Sequence, residues 1–248
     1  MATVFPAVAS ARVFNFKEAG LAAYLRGTGG QSAVGQDPFG NSSGTDTVIS
    51  EETGLNYSGE IGVQWAMGDK TNLRLGAEAI QHRPVSEAKG ANSNQQERFT
   101  LESEVFIFNP NLTLEYVFKS AGSFRYYGLI GAGWADVTVD NHYQMTALGT
   151  SELGVTDFYE KMHATAYSGH IGGGIEALFT DNVTASLDMN YRYLKVPTLK
   201  YKGDTTSIVA PGGVGKGEEV LNQEGGKRSL DLGGFYIGIT FRFYLRFL

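Results

Sequence analysis

The stretch that decides the fold is Phe235–Phe247, FYIGITFRFYLRF. Every odd position in it is apolar, whereas the even positions are tyrosine, glycine, threonine or arginine. A period of two places successive side chains on opposite faces of a β-strand. This alternation runs well beyond the roughly five or six residues that are usual in a soluble strand. The stretch therefore predicts a long strand with one face in an apolar medium and the other in a polar interior.

The same alternation recurs along the chain. It is found in 57–67, 73–79, 106–118, 126–134, 169–179 and 183–195, and a first strand is expected from about Glu18 to Arg26. Short links at 68–70, 119–123 and 180–182 alternate with long polar links at about 28–56, 84–99, 138–160 and 200–228. This arrangement is typical of outer-membrane barrels, whose strand number is even. We expect an all-β fold over 18–248, a transmembrane antiparallel up-and-down β-barrel of eight strands, with both termini periplasmic and with a bulge or local fraying at Pro110.

Composition supports this class and excludes others. The 248 residues include 33 glycines, 13 tyrosines and 15 phenylalanines but only 6 prolines, which suits many strands separated by turns. No uninterrupted apolar run reaches the roughly 18 residues of a membrane helix. The net charge of −6 argues against a nucleic-acid partner, which needs a basic face. Because cysteine is absent, disulfides and thiolate metal sites are excluded.

Ionisable side chains gather on the polar faces of the predicted strands, while the apolar faces are almost free of charge. They are Glu60, Arg74, Glu78, Glu115, Arg125, Glu176, Asp188, Arg192 and Arg242. Such groups could not line the dry core of a soluble barrel, but they can form ion pairs inside a barrel whose exterior is lipid. We expect this charge network to fill the lumen.

Aromatic residues are predicted to form two belts about one membrane thickness apart, as amphipathic rings do at membrane interfaces. The belt near the short turns comprises Trp65, Tyr116, Phe118, Tyr126, Phe179 and Phe247, and the opposite belt comprises Tyr57, Trp134, Tyr191, Tyr193 and Phe235. Both belts favour the membrane interpretation over a soluble barrel.

Two segments resemble the small outer-membrane β-barrel superfamily, which includes OmpA-type and OmpW-type barrels. Phe124–Trp134 (FRYYGLIGAGW) resembles its Pro-Tyr-x-Gly-x-Gly-x-Gly strand, and 167–194 (YSGHIGGGIEALFTDNVTASLDMNYRYL) resembles its glycine-rich strand, Thr-Asp-Asn turn and Tyr-Arg-Tyr strand. The resemblance covers roughly 57–248. It implies a Gram-negative outer membrane and contact with outer-membrane lipid and lipopolysaccharide. The last strand resembles the signal read by the barrel-assembly machinery, carried here by Phe241, Phe243, Leu245 and Phe247, although Leu248 follows the final aromatic residue.

Four glycines bear on what the lumen does. Gly131, Gly133, Gly172 and Gly174 are predicted to face inward beside Tyr127, Leu129, Val105 and Ile107. They are explained either by close strand packing or by a small, partly apolar cavity, through which the OmpW-type resemblance implies passage of hydrophobic compounds. An eight-stranded interior is just wide enough to be filled by side chains. We expect a structural or surface-interaction barrel, with transport of small hydrophobic molecules as the alternative and a hydrophobic ligand or detergent as its occupant.

Few features of the sequence indicate catalysis or metal binding. The histidines His82, His142, His163 and His170 lack metal-ligand spacing, so neither a metal nor another cofactor is expected. Ser168 and His170 share a face, but ordinary alternation also produces such a pair, and we expect no enzyme. The charged loop residues are interpreted as solvated, with divalent-ion or lipopolysaccharide contact as the alternative; they are Asp37, Asp46, Glu51, Glu52, Lys200, Lys202, Lys216, Glu218, Glu219 and Lys227.

The N-terminal residues are interpreted apart from the barrel. Ala9-Ser10-Ala11 has the small-x-small form of a signal-peptidase site, so residues 1–17 are expected to be a remnant of an export signal or a periplasmic arm.

Overall fold

The wall of the molecule is a closed ring of eight strands in a computed structural model that describes residues 20–40, 47–180 and 182–245. The strands are β1 (Leu21–Gly35), β2 (Thr53–Ala66), β3 (Thr71–His82), β4 (Glu97–Ala121), β5 (Phe124–Met145), β6 (Phe158–Thr180), β7 (Val183–Val196) and β8 (Gly234–Leu245). Each pairs antiparallel with the next, and β8 returns to pair with β1. The predicted eight-stranded up-and-down barrel is confirmed. Among the described residues, no helix is long and apolar enough to cross a membrane.

The two ends of the barrel differ in their connections. Short links join β2 to β3, β4 to β5 and β6 to β7 at one end, where β1 begins and β8 reaches Leu245. Long connections of 36–52, 83–96, 146–157 and 197–233 cover the other end. Residues 1–17, the expected strand start at Glu18, Asp46, Phe247 and Leu248 lie outside the described residues.

The strands on one side of the barrel are much longer than predicted. β4, β5 and β6 have 25, 22 and 23 residues, whereas the other five strands have 12 to 15. The predicted polar loops 84–99 and 138–160 are therefore largely wrong. Val85–Ala91 is a strand that pairs with the start of β4, and 138–145 belongs to β5. Between β5 and β6 lies a short helix, Ala147–Leu153, whose N-cap Thr146 accepts a hydrogen bond from the Gly149 N–H.

The remaining two long links also contain more strand than expected. β1 runs to Gly35 and β2 begins at Thr53, so both ends of the predicted loop 28–56 are strand. The predicted loop 200–228 contains the short strands Lys200–Tyr201, Thr205–Ser207 and Ala210–Val214. Lys200–Tyr201 pairs with β6 and so continues the wall beyond β7.

The long strands keep their period of two, but part of the way along them the outward face changes from apolar to polar and the inward face from polar to apolar. On β5, Ile130 and Trp134 point outward in the part nearer the short turns and up to the boundary, whereas Asp136 and Asp140 occupy the same face farther on. The inward positions become apolar there, as at Val137. This inversion divides the barrel into a turn half and a loop half. Its boundary lies between Phe106 and Glu104 on β4, Trp134 and Asp136 on β5, and Tyr167 and Thr165 on β6.

The loop half has a mainly apolar interior. Its core begins at the level of the last outward aromatic residues and consists mainly of Val105, Ile107, Val137, Val139, Met162, Leu194, Val196, Leu199, Val220, Leu230 and Leu232, all nearly inaccessible. A second apolar cluster beneath the long connections contains Phe39, Ile49, Phe99, Leu101, Tyr143 and Phe158. Apolar burial of this kind stabilises the part of a barrel that stands in water.

Of the two outcomes expected at Pro110, a bulge or local fraying, the structure shows a local interruption of the pairing and no bulge. Pro110 lies opposite Ala77 of β3 without a change of register. Pairing with β5 stops after Phe108 and resumes at Asn111 in the same register. The missing proline N–H thus interrupts the ladder over two residues without adding an extra one. The register shift in the pairing of β4 with β5 lies instead between Val117 and Lys119.

Candidate functional site

The ionisable residues predicted for the lumen all point inward and are buried. Their exposed fractions do not exceed 7% for Glu60, Arg74, Glu78, Glu115, Arg125, Glu176, Asp188, Arg192 and Arg242. Alternation along each strand places them there, because their outward neighbours are aliphatic or aromatic.

The first cluster lies near the short turns and is centred on Arg242. Its guanidinium donates to Glu115 Oε2 at 2.7 Å and to Glu176 Oε2 at 2.6 Å. Arg125 also donates to Glu176, and Arg74 lies 3.8 Å from Glu115. Five strands contribute these residues, so the cluster ties opposite sides of the wall together.

A second cluster lies deeper in the barrel and is centred on Arg26. Arg26 donates to Asp188 at 2.5 Å and to Glu60 at 3.2 Å, and the Tyr24 hydroxyl donates to Glu60 at 2.6 Å. Arg192 pairs separately with Glu78 at 2.5 Å and lies over the ring of Tyr236 at 4.2 Å.

The charges of these clusters balance. Five arginines, including Arg26, face five carboxylates in the lumen. Removing a partner from such a pair leaves a buried charge uncompensated, which is more costly than the pair is favourable. The network therefore holds the side chains across the interior in place and leaves little room for solvent.

Sequence reasoning missed Arg26 and Tyr24. Both lie on β1, the faintest of the predicted strands, which was expected to end at Arg26. The even positions of β1 face the lumen, so applying the alternation to both faces of the predicted strand would have assigned both side chains to the network.

Neighbouring atoms fill the space beside the four glycines, where a small cavity was the alternative to close strand packing. A Cβ at Gly131 would meet the imidazole of His170, and one at Gly174 would lie 2.6 Å from the Tyr127 hydroxyl. At Gly133 it would lie 2.5 Å from Asn109 Oδ1. At Gly172 it would meet the backbone of the neighbouring strand. Glycine at these four positions allows side chains and the backbone of neighbouring strands to approach closely. Tyr127 and Leu129 pack with Val117, while Val105 and Ile107 belong to the apolar core of the loop half.

The Ser168 and His170 side chains form separate hydrogen bonds. The Ser168 hydroxyl donates to Asn109 Oδ1 at 2.8 Å, and His170 Nε2 lies 2.9 Å from Thr113 Oγ1. A hydrolytic site needs the nucleophile and the base in contact. This pair lacks that contact in the structure.

The other histidines are scattered around the barrel. His82 Nε2 lies 3.1 Å from Ser32 Oγ in the lumen. His142 stacks on Tyr159 at 4.1 Å on the outer wall of the loop half, and His163 lies opposite Lys200. Among the described residues, no group of three His, Asp or Glu side chains could hold a metal ion.

The loop half is closed by an ion pair that sequence reasoning did not predict. Arg228, in the last long connection, donates to Glu160 Oε2 of β6 at 2.6 Å, and both side chains are 1% exposed. Burial acts to lower the pKa of Arg228, but the adjacent Glu160 carboxylate raises it above its usual value. Arg228 also donates to the Leu221 carbonyl at 3.1 Å.

The first long connection is anchored to the same interior. Asn141 donates to the Pro38 carbonyl at 2.8 Å and Tyr143 donates to the Phe39 carbonyl at 3.2 Å. The Gln223 N–H donates to the Gly40 carbonyl at 3.2 Å, which joins the first and last connections. Together these contacts form a cap over the apolar core.

Most of the charged loop residues are solvated. Glu51, Glu52, Lys200, Lys202, Lys216 and Glu218 are exposed, and Lys227 pairs with exposed Glu219 at 2.7 Å. Asp37 is part of a short 3-10 helix, and its pKa is raised by burial and by the nearby Asp231.

The outer wall of the turn half carries a continuous apolar band. The aromatic residues of both predicted belts face outward where they are described; Phe179 and Phe235 are each 72% exposed. Trp134 contacts Tyr167, and Tyr191 contacts Phe235, with ring centroids 4.7 and 5.0 Å apart. Phe241, Phe243 and Leu245, predicted as part of an assembly signal, also point outward on β8.

A closed ring with an apolar outer band and a charged interior defines a transmembrane type of β-barrel. No protein-family model and no curated protein matches the chain. Solved structures that match include a major outer membrane protein from Thermus thermophilus, with 10% identity, a TM-score of 0.52, and 90% of this chain and 99% of that chain covered. The outer membrane protease OmpT from Escherichia coli matches with 6% identity, a TM-score of 0.50, and coverage of 95% and 100%.

The outer membrane protein OprG from Pseudomonas aeruginosa also matches, with 15% identity, a TM-score of 0.47, and coverage of 92% and 98%. Identities this low are informative about the fold alone. The chain has the fold of the small outer-membrane β-barrels, as the sequence resemblance predicted.

Proposed function

We propose that this protein is an integral barrel of a Gram-negative outer membrane with a structural or surface-interaction role and a closed lumen. The outer band of the turn half supports the membrane location. Its aliphatic side chains, such as Ile61, Ile130 and Ile171, are 57 to 64% exposed. An apolar surface that encircles a soluble protein would aggregate, whereas lipid covers such a band without penalty.

The orientation follows from the connections. Outer-membrane barrels have short periplasmic turns and longer external loops. We therefore place the short links and both termini on the periplasmic side, with residues 1–17 as a periplasmic arm. On this basis the cap formed by the long connections faces the outside of the cell, and β8, with Phe241 and Phe243, is the segment offered to the barrel-assembly machinery.

The observation that supports a closed lumen is that side chains fill both halves of the interior. The charge network occupies the turn half, and the apolar core beneath the cap occupies the loop half. A water-filled path would need to cross both layers. Surface interaction would then depend on the exposed loops, where binding groups of barrel proteins usually reside.

Electrical recording tests this proposal. Folded protein inserted into planar lipid bilayers is expected to give no stable conductance steps, whereas a general porin in the same bilayers gives them. On unboiled gels the folded barrel should migrate apart from the boiled form. Persistent conductance steps would overturn the closed lumen, and the lack of any heat-dependent shift would count against the membrane barrel.

Transport of small hydrophobic molecules is the alternative, and the apolar lining of the loop half favours it. Residues such as Val137, Met162 and Leu194 would suit a hydrophobic ligand or detergent if the cap opened. Vesicles containing the protein should then take up an apolar fluorescent probe faster than empty vesicles. Uptake that increases in an Arg228→Met variant would support this alternative over a purely structural role.

A further inference from the structure

A serine and a histidine from two different strands are in contact inside the barrel wall. Ser32 Oγ of β1 lies 3.1 Å from His82 Nε2 of β3, and the two residues are 7% and 1% exposed. Because β2 separates β1 from β3, alternation along one strand does not by itself produce this contact. A serine hydroxyl that contacts a histidine nitrogen is the minimal pairing of a nucleophile with its general base.

Asn56 of β2 lies beside this pair and supplies an amide donor. It is directly across from His82, and its Nδ2 donates to Ser32 Oγ at 3.4 Å. A side-chain amide in this position can donate to the oxygen of a carbonyl group that the hydroxyl attacks. Its Oδ1 has no hydrogen-bond partner among the described residues, although Asn56 is only 4% exposed. The fold therefore does not use all the polar atoms gathered here.

A cavity of about 370 Å³ lies next to the pair, and its volume is in the range of small-molecule sites. Ser32 and Thr53 line it together with the exposed residues Leu55 and Arg83. The cavity lies where the pairing of β1 with β2 shifts register, so the hydrogen-bonded ladder is interrupted beside Ser32. Thr53 is 2% exposed, and its Oγ1 is a second buried oxygen without a partner in the described part of the chain.

The lining of the cavity indicates the kind of molecule that it fits. Leu55 gives it an apolar side, and Glu52 and Arg83 give it a polar side. Tyr57 follows Leu55 by two residues on the same outward face and belongs to an aromatic belt of the kind found at membrane interfaces. An ester with an apolar acyl group and a polar alcohol would match both sides and place its carbonyl between them.

We propose that Ser32 and His82 form a hydrolytic dyad that cleaves carboxylic esters of amphiphilic molecules. Ser32 Oγ attacks the ester carbonyl, His82 Nε2 takes the hydroxyl proton, and Asn56 Nδ2 donates to the oxyanion. When the carbonyl re-forms, the C–O bond to the alcohol breaks and the alcohol leaves with the proton from His82. Water then attacks the acyl-serine with His82 as its base, which releases the carboxylic acid and restores Ser32.

The dyad has no third member, which limits its rate. His82 carries its proton on Nδ1 when Nε2 accepts from a hydroxyl, and among the described residues no side chain accepts from Nδ1. A group that orients the histidine contributes strongly to the rate of serine hydrolases. We therefore expect slow turnover. This activity goes beyond the structural or surface-interaction role proposed above, and only the preference for amphiphilic substrates rests on the membrane location.

Covalent labelling tests the nucleophile directly. Folded protein in detergent micelles is treated with an alkyl fluorophosphonate, in which a bond from phosphorus to the serine oxygen replaces the P–F bond and fluoride leaves. Peptide mass spectrometry should locate the label on Ser32. His82→Asn should slow the labelling at least about 100-fold, because the general base is lost. Absence of label on Ser32, or equal labelling in His82→Asn, would overturn the proposal.

Hydrolysis of p-nitrophenyl esters gives a second measurement. Ser32→Ala should lower kcat/KM at least about 100-fold, and Asn56→Ala about 100-fold. Ser168→Ala is the matched control, since it removes a buried serine that donates to Asn109, and it should leave kcat/KM within about twofold. A decanoate ester should react with a lower KM than a butyrate ester. A rate that is unchanged in Ser32→Ala would refute the dyad.

Folding is checked separately from activity. Heat-dependent gel migration is measured for every variant, and if Ser32→Ala does not fold, the labelling of Ser32 in the unaltered protein decides alone. Vesicle flotation of the unaltered protein distinguishes the two proposals. A protein that inserts into vesicles but is not labelled lacks the dyad only, whereas a protein that is labelled but does not insert contradicts the membrane location.

Discussion

The turn half and the loop half are built from the same strands, yet their inward and outward chemistry is opposite. On β4, Glu115 and Thr113 are buried in the turn half while Leu114 is exposed. In the loop half of the same strand, Leu101 is buried and Glu102 is exposed. The surrounding medium explains the difference. Lipid makes an apolar exterior favourable and tolerates a paired polar interior, whereas water demands the reverse.

The two halves also use ion pairs differently. The turn half holds a network in which Arg242 contacts both Glu115 and Glu176, and other arginines share these carboxylates. In the loop half, Arg228 and Glu160 are buried among apolar side chains, with Asn141 as a further donor. The network links strands on different sides of the lumen, whereas the pair in the loop half holds one connection against the barrel. Variants that exchange or remove these features test the distinction.

The largest effect is expected from Arg242→Met. This change leaves Glu115 and Glu176 in a buried position without their shared partner, so the free energy of unfolding should fall by about 3–5 kcal/mol. Reversible urea unfolding in lipid vesicles measures the loss. Lys89→Met is the control, because the exposed pair of Lys89 and Glu97 is worth about 0–1 kcal/mol. A loss similar to that of the control would show that the network contributes little.

An arginine placed on the outer face of β5 should distinguish the two halves. Ile130→Arg puts a charge in the lipid band and should destabilise the barrel by about 2–4 kcal/mol. Gln144→Arg puts the same side chain on the outer face of the loop half, where a change within about 0.5 kcal/mol is expected. The measurement is again the unfolding free energy in vesicles. Equal losses would mean that the inversion does not mark the edge of the lipid.

The turn half could be predicted from the sequence almost completely. Apolar outward positions alternate with charged inward positions there, as at Ile239 and Arg242. This single pattern predicts the strands, the residues that line the lumen and the membrane location. The loop half was misinterpreted by the same rule. Glu102 and Asp140 lie on the outward face, which is apolar in the turn half of the same strands. The alternation rule therefore predicts polar loops where the strands in fact continue beyond the lipid.

The cap could not be predicted from a single sequence. Arg228 lies in a connection with no periodic pattern, and its partner Glu160 is 68 residues away along the chain. Such a contact depends on how the connection folds back over the barrel, and alternation carries no information about it. The filling of the space beside Gly131 by His170 likewise depends on cross-strand register, which the sequence does not specify.

A methylene deletion should cost more in the apolar core than on the lipid face. Ile107 is 1% exposed within the apolar core, so Ile107→Val should lower the unfolding free energy by about 0.5–1.5 kcal/mol. Ile130→Val, on the outer band, removes the same group from a surface where lipid fills the space, and we expect about 0–0.5 kcal/mol. Comparable losses at the two sites would contradict a dry, closely packed core.

An effect of similar size is expected in the response of the loop half to alkaline pH. Tyr143 is buried between Phe99 and Phe158, and burial, reinforced by Glu160, raises the pKa of its phenol above the ordinary value. In the unfolded chain the phenol ionises near about pH 10. Above that pH the unfolded state releases a proton that the folded state retains, so stability falls as pH rises towards the folded pKa.

Tyr143→Phe should therefore make the alkaline loss of stability shallower by up to about 1.4 kcal/mol per pH unit. At neutral pH the same change should cost about 1 kcal/mol, because the hydrogen bond to the Phe39 carbonyl is lost. Unfolding midpoints measured from pH 8 to 11 report both effects. Tyr159→Phe is the control, since Tyr159 is 60% exposed on the outer wall and its removal should leave the slope unchanged. The same slope in both variants would show that the phenol of Tyr143 titrates as freely as one in water, and the interior of the loop half would then be wet.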